Sequence, residues 1–140
     1  IIHIISIVVI SLYLLLLILN LFVMSIISND PYIVVGKSGA SYSFSICSLD
    51  SEFSNQSGVY IFAKYREVFN SIYVYEAIYC GKADDLKGRI QTHIKSEDII
   101  NSPNCVCVFI TDSVQKATDY ETDILEGNKF VQNIQHQGCQ

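Results

Sequence analysis

The sequence predicts a small α+β domain in which a β-sheet is flanked by two helices. Three runs, at 58–64, 72–80 and 104–111, are rich in β-branched and aromatic residues or alternate in polarity, as strands do. After Gly81 the apolar residues recur every four positions, which is typical of a helix. The chain has 140 residues, half of them apolar, which is enough for one domain with its own core.

The first 27 residues contain no Lys, Arg, Asp or Glu. A helix of that length can cross a bilayer, so one interpretation of residues 1–27 is a single-pass membrane anchor. The other interpretation takes Met24, the only methionine, as the start of the protein and residues 1–23 as translated upstream sequence. We expect a cytoplasmic protein in the second case and a membrane-anchored one in the first.

The predicted domain spans residues 31–135 and begins with a hairpin. Residues 32–35 and 41–46 read as its two strands, with a turn at Lys37–Ala40 between them. The strands at 58–64 and 72–80 are expected to pair, and 65–71 is expected to be a polar connection. The strand at 104–111 alternates in a way that allows burial on both of its faces.

Two helices are predicted after the paired strands. Leu86, Ile90 and Ile94 form the apolar stripe of a helix over about 84–95, with Asp84 as its N-cap. Asp112 or Ser113 is expected to cap a second helix over about 114–126.

The charge balance of the predicted domain is acidic. Residues 31–140 carry nine basic and thirteen acidic residues, a net charge of −4, which argues against strong unassisted binding to duplex DNA. Six of the nine cations fall between positions 64 and 95, so one local basic patch is expected; these are Lys64, Arg66, Lys82, Lys87, Arg89 and Lys95.

Four residues of the strands and the first helix are candidates for chemistry. Pairing of the two central strands can bring Tyr60 near Tyr79, and the glycine attached to each motif indicates a close approach to the backbone. Arg89 and His93 lie four positions apart on one helix face, where a guanidinium can bind phosphate and an imidazole can move a proton. Packing of the tyrosines, and a solvated Asp85–Arg89 pair, are the structural alternatives.

Glu121 is the most informative acidic residue. It lies on the same helix face as Ala117 and Ile124, so its carboxylate is expected to point inward and to be paired, protonated or metal-bound. A salt bridge to a buried arginine is the structural alternative. Asp119, Asp123 and Glu126 are expected to be ordinary solvated charges.

Taken in order, these residues resemble the GIY-YIG nuclease family over residues 38–134. Gly58-Val59-Tyr60 and Tyr79-Cys80-Gly81 are similar to its two motifs, and Arg89 and His93 to the helix that follows. Glu121 is similar to the metal-binding glutamate and Asn133 to the late asparagine, although Phe130 stands where a proline is common. Residues 38–44 resemble the leading hairpin of a small subgroup with stand-alone domains.

The resemblance implies a fold and a reaction. The fold is a small, mainly antiparallel three-stranded sheet with flanking helices, here with an extra N-terminal hairpin. The reaction is metal-dependent cleavage of a DNA phosphodiester, with Mg²⁺ or Mn²⁺ held by Glu121. The catalytic set implied is Tyr60, Tyr79, Arg89, His93 and Glu121, and the substrate-binding set is Lys82, Arg89 and Asn133.

A second interpretation is a nucleic-acid or protein interaction module that has this fold without useful turnover. The acidic balance favours it, and small nucleases of this type commonly borrow specificity from an attached domain. A separate DNA-targeting partner would serve the same purpose.

Overall fold

The computed structural model describes residues 2–22 and 25–133. Met24, the alternative start, and residues 134 and 135 at the end of the predicted domain lie outside the described residues. Helix α1 comprises Ile2–Phe22, and its residues 2–16 are exposed. Within the described parts of the chain, no helix combines the length and the apolar character needed to cross a membrane.

Five strands form one antiparallel sheet in the order β1-β2-β5-β3-β4. They are β1 (Tyr32–Val35), β2 (Ser41–Cys47), β3 (Gly58–Val68), β4 (Ser71–Ala83) and β5 (Cys105–Ile110). The mixed α/β class and the antiparallel pairing are confirmed. The three-stranded sheet is wrong, because β2 pairs with β5 and thereby adds the N-terminal hairpin to the same sheet.

The β3–β4 hairpin is longer than the sequence predicts. The expected polar connection at 65–71 is mostly strand, and only Phe69 and Asn70 form the turn, with φ of 51° and 64°. Two consecutive left-handed residues match the twist of a tight hairpin. Asn104 directly precedes β5, and its side chain accepts from Tyr65 N at 2.9 Å and donates to Tyr65 O at 3.0 Å.

The sheet is buried on both faces because alternate residues of β3 point to opposite sides. Val59 and Ile61 belong to one core cluster, together with Ala117 and Ile124 of α3 (Val114–Gly127). The opposite cluster contains Tyr60 and Phe62 of β3 and Leu86 and Ile90 of α2 (Leu86–Ser96). The domain is therefore layered, with α2 on one face of the sheet and α3 on the other.

The apolar face of α2 differs from the predicted stripe. Its buried residues are Leu86, Ile90 and His93, whereas Ile94 is 38 % exposed. A helix has 3.6 residues per turn, so a stripe drawn at every fourth residue drifts away from the buried face. In the last turn His93 therefore faces the sheet, where the period of four predicted Ile94. The N-cap is Asp85 rather than Asp84, and its side chain makes no capping hydrogen bond.

Helix α3 begins as predicted, with the Ser113 side chain accepting a hydrogen bond from Lys116 N at 3.1 Å. Ala117 and Ile124 are buried, and Glu121 lies between them at intermediate exposure. Val114, the first residue of the helix, is 44 % exposed.

Candidate functional site

Tyr60 lies on β3, fully buried, directly opposite Gly81 of β4. A Cβ atom at position 81 would lie 2.5 Å from the Tyr60 hydroxyl oxygen and 2.7 Å from Cζ. The phenol ring therefore crosses the backbone of β4 in the space that any other residue at 81 would fill. The close approach expected at this glycine is made by Tyr60 itself.

The Tyr60 hydroxyl forms a buried hydrogen bond with Nε2 of His93, at 2.8 Å. The other ring nitrogen, Nδ1, lies 2.9 and 3.1 Å from the two carboxylate oxygens of Asp98. His93 is 4 % exposed, so these partners satisfy both ring nitrogens without solvent. Phenol, imidazole and carboxylate thus form one continuous chain.

Tyr79 completes an aromatic group around the imidazole. Its ring centroid lies 6.1 Å from that of Tyr60 and 5.3 Å from that of His93. The predicted proximity of Tyr60 and Tyr79 is confirmed, and it follows from the pairing of β3 with β4. Phe62 packs against the His93 ring from another side, at 5.5 Å with an interplanar angle of 74°.

Arg89 lies one helical turn before His93 and is exposed at the protein surface. The neighbouring Tyr60 hydroxyl, and then that of Tyr79, raise the pKa of Arg89 above its usual value. Burial raises the pKa of Tyr60 far above 10, Tyr79 adds to this increase, and the Arg89 guanidinium opposes it. Tyr60 is therefore a neutral phenol at physiological pH, with a permanent cation beside its oxygen.

Glu121 lies on the α3 side of β4, beside Cys80 and Lys82. Burial raises the pKa of the Glu121 carboxyl, and the charge and main-chain N–H of Lys82 oppose that increase. The Lys82 ammonium donates to Thr118 Oγ1 at 2.8 Å. The cation that faces Glu121 is thus Lys82, in place of the buried arginine of the structural alternative.

Glu121 supplies the one carboxylate on which the binding of a divalent cation at this site would depend. Within the described residues, no group of three or more His, Cys, Asp or Glu side chains could hold a metal. Mg²⁺ commonly uses one or two carboxylates and keeps several of its waters, completing its shell with substrate phosphate. A partly buried carboxylate whose pKa is raised by burial is stabilised by an added cation. Glu121 therefore suits one hydrated Mg²⁺ or Mn²⁺.

The Asn133 side chain is hydrogen-bonded to the main chain of β4 along its outer edge. Its Oδ1 accepts from Cys80 N at 2.8 Å, and its Nδ2 donates to Cys80 O at 3.0 Å. The amide thus takes the place of a neighbouring strand. A contact between Asn133 and substrate remains a prediction.

A shallow cavity of about 490 Å³ opens beside this edge. It is lined by Lys82, Ala83, Asp84, Asp85, Gly88, Arg89 and Thr92. Two of the six cations of the expected basic patch thus share one cavity, together with two carboxylates. Arg66 lies instead over the Tyr75 ring, 4.4 Å from its centroid, and Lys87 lies 3.8 Å from Glu52.

The predicted site residues therefore occupy two sides of one short segment, Cys80–Gly81–Lys82. Tyr60, Tyr79, Arg89 and His93 gather on the α2 side, whereas Glu121 and Lys82 meet on the α3 side. Sequence reasoning missed Asp98, because it follows the end of α2 and no periodic pattern links it to His93.

No family model matches the chain, and no curated protein or solved structure matches it either.

Proposed function

We propose that the protein is a metal-dependent endonuclease that hydrolyses phosphodiester bonds in DNA. The observation that carries the proposal is the 2.8 Å hydrogen bond between the Tyr60 hydroxyl and His93 Nε2, beside the Arg89 guanidinium at the protein surface. A neutral phenol next to an imidazole acceptor and a cation is suited to moving a proton near a phosphate. The ordered resemblance to GIY-YIG nucleases supports the same reaction.

Arg89 would bind a non-bridging oxygen of the scissile phosphate. Its guanidinium is exposed and lines the open cavity, so a phosphate can reach it without rearrangement of the core. A guanidinium stabilises the charge that grows on phosphate oxygens in the transition state. Lys82, on the same cavity, would bind a neighbouring phosphate.

Tyr60 and His93 would handle the proton of the attacking water. The Tyr60 oxygen is buried in this structure, so substrate binding would have to admit the attacking water. The phenol would then pass its own proton to Nε2 while its oxygen takes a proton from that water. The water oxygen then forms the new bond to phosphorus, and the bond from phosphorus to the leaving oxygen breaks. The leaving oxygen keeps the electron pair and takes a proton from solvent.

Glu121 would hold the divalent cation, Mg²⁺ or Mn²⁺. When bound, the cation supplies stabilisation of negative charge on the phosphate and the leaving oxygen. The protein contributes the position of that carboxylate, which α3 fixes between Ala117 and Ile124 against the sheet.

The full chain should nick supercoiled plasmid or branched DNA with Mg²⁺ and lose that activity in EDTA. Glu121→Ala should abolish nicking, whereas Glu126→Ala, an exposed change on the same helix, should leave it intact. Equal nicking by both variants would refute the role of Glu121. Absence of nicking by a folded wild-type protein, on both substrates and with either metal, would refute the proposal.

A binding module is the second candidate, and it is favoured by the acidity of the chain. Asp84 and Asp85 line the same cavity as Lys82 and Arg89, which weakens the field that would attract a polyanion. Salt-sensitive binding of branched DNA without cleavage in Mg²⁺ or Mn²⁺ would support this candidate.

A further inference from the structure

We propose that Asp98 is a positioning residue that holds His93 in the tautomer whose Nε2 accepts the Tyr60 proton. Its importance for cleavage rests on the proposed nuclease function. Its effect on the His93 tautomer does not depend on that function and can be measured separately.

The tautomer follows from the partners of the ring. An ionised carboxylate can only accept hydrogen bonds, so the contacts of 2.9 and 3.1 Å from Asp98 require the proton on Nδ1. A neutral imidazole carries one N–H, which leaves Nε2 as the acceptor facing the Tyr60 hydroxyl at 2.8 Å. The opposite tautomer would set the Nδ1 lone pair against the carboxylate oxygens.

The loop that carries Asp98 is held in an unusual conformation. Glu97, Asn101 and Ser102 have φ of 49°, 61° and 51°, a region that side-chain-bearing residues adopt infrequently. Such a loop persists only when surrounding contacts hold it. The clustering of these residues around Asp98 indicates that the carboxylate is presented in one place.

Gln132 supplies two of those contacts from a buried position. Its Nε2 donates to Asp98 O at 2.9 Å, and its Oε1 accepts from Ile100 N at 2.9 Å. One side chain thus fixes the main chain at Asp98 itself and two residues later. The segment at 131–133 therefore supports both Asp98, through Gln132, and the edge of β4, through Asn133.

The consequence for the reaction is a direction for the proton. With Nδ1–H directed at Asp98, the ring can only receive a proton at Nε2, and the Asp98 carboxylate then stabilises the imidazolium that forms. With the opposite tautomer, Nε2–H would donate to the Tyr60 oxygen, and the phenol could not pass its proton to the ring.

The test combines ring ¹⁵N shifts of His93 with the nicking assay on the full chain. Wild type should show a protonated Nδ1 and an unprotonated Nε2. Asp98→Asn, whose amide can donate to Nδ1, and Asp98→Ala, which offers no acceptor, should both increase the Nε2–H form. Cleavage should fall by about 10²-fold or more in both variants, the range typical of positioned proton transfer.

Two matched variants separate positioning from general damage. Asp98→Glu keeps the carboxylate and should recover much of the tautomer preference, and Glu97→Gln changes the adjacent exposed carboxylate and should change nothing. The Asp98 side chain is 48 % exposed, so these replacements should fold, which thermal unfolding will check.

The possible failures are distinguishable. Nε2–H in wild type, or an unchanged tautomer in both Asp98→Asn and Asp98→Ala, overturns the positioning role. A changed tautomer with undiminished cleavage overturns the link to the reaction and leaves the nuclease standing. A wild-type protein that shows the expected tautomer but does not cleave DNA overturns the proposed nuclease function. The proposed effect of Asp98 on the His93 tautomer then still stands.

Discussion

Gly81 connects the geometry of β4 to the position of the Tyr60 hydroxyl. In Gly81→Ala the new methyl group would overlap the phenol, so the ring must move away from His93. We expect a loss of about 1–3 kcal/mol in the free energy of unfolding, as for other overpacked sites, and at least tenfold slower nicking. Urea unfolding and the plasmid assay measure the two effects.

Gly88→Ala is the matched control for this substitution. There the added Cβ would meet the end of the exposed Asp85 side chain, which can rotate away. Gly88 lines the candidate cavity, so this variant is a control for stability alone: it should keep or raise the free energy of unfolding, because alanine forms helices better than glycine. An equal loss of stability in the two variants would show that contact with the Tyr60 ring is not the cause of the loss at position 81.

Removal of the Tyr60 hydroxyl alone isolates its chemical role. Tyr60→Phe keeps the ring in the core but leaves His93 Nε2 buried without a partner, at a cost of about 1–3 kcal/mol of stability. Nicking should fall by about 10²-fold or more, since the proton path is lost. Tyr73→Phe, an exposed change on β4, should alter neither quantity. Undiminished nicking by the Tyr60→Phe protein would contradict the proposed mechanism.

The positions of individual site residues could be predicted from the sequence where a short-range periodic pattern includes them. The spacing of Arg89 and His93 on one helix and the strand positions of Tyr60 and Tyr79 follow from short-range periodicity. Asp98 was missed, and Asp123 was wrongly assigned as a solvated charge. Both depend on contacts that cross element ends or join distant parts of the chain, which no periodic pattern encodes.

At the scale of elements, Asp123 fastens α3 to the N-terminal hairpin. Its carboxylate accepts from Ser38 N at 2.8 Å, from Ser38 Oγ at 2.7 Å and from Tyr42 Oη at 2.7 Å. The hydrogen bond from Tyr42, and then those from Ser38, lower the pKa of Asp123 below its usual 3.8. This stabilisation is fully present above pH 3.8 and is lost as the pH falls through the lower folded-state pKa.

Asp123→Asn should therefore lower the urea midpoint most at neutral pH. The difference from wild type should shrink as the pH falls below about 3.8, where wild type loses the same interaction. Asp119→Asn, an exposed change on the same helix, provides the baseline. A difference from wild type that is constant between pH 7 and pH 3 would contradict a role for the ionised carboxylate.

Two asparagines act as side-chain substitutes for a neighbouring strand. Asn104 bonds both main-chain groups of Tyr65, and Asn133 does the same for Cys80. Each alanine variant should lose about 0.5–1.5 kcal/mol per hydrogen bond. Only Asn133→Ala should also slow nicking, because it loosens the segment of β4 that lies beneath Tyr60. An equal decrease in nicking in Asn104→Ala would show that lower stability alone slows the reaction.

Element positions were predicted better than their ends and partners. The strands at 58–64 and 104–111 and both helices of the domain lie where the residue patterns indicate. The addition of β1 and β2 to the central sheet was missed because alternation identifies a strand without identifying its neighbour. The turn at Phe69 and Asn70 was missed because Phe is an uncommon residue at a left-handed position.

At the scale of the whole molecule, the acidic charge balance predicts that any DNA binding by the proposed nuclease is weak and modestly salt-dependent. If Lys82 and Arg89 are the phosphate contacts, log K should fall with log salt at a slope of about −1.8, from about 0.9 per phosphate. Lys82→Ala should reduce the slope by about 0.9. Lys116→Ala, which removes a cation paired with Asp112, should leave it unchanged; a far steeper wild-type slope would reveal a larger binding surface.

The architecture as a whole was predictable only in its class. Composition and periodicity distinguish an α+β domain from an all-helical or all-β one, since they report which faces are buried. Strand order depends on which distant segments meet, and the placement of Glu121 across β4 from Tyr60 depends on that order. The two-sided arrangement of the site is thus a property of the folded molecule.

The amide of Asn133 on the rim of β4 also bears on how copies of this protein meet one another. A bare strand at the margin of a sheet is a template to which another chain can add by main-chain pairing, which leads to aggregation. At Cys80 both pairing groups are already occupied within the same molecule. A strand of a second copy therefore cannot pair with β4 at Cys80, beside the candidate site, while the neighbouring cavity stays open.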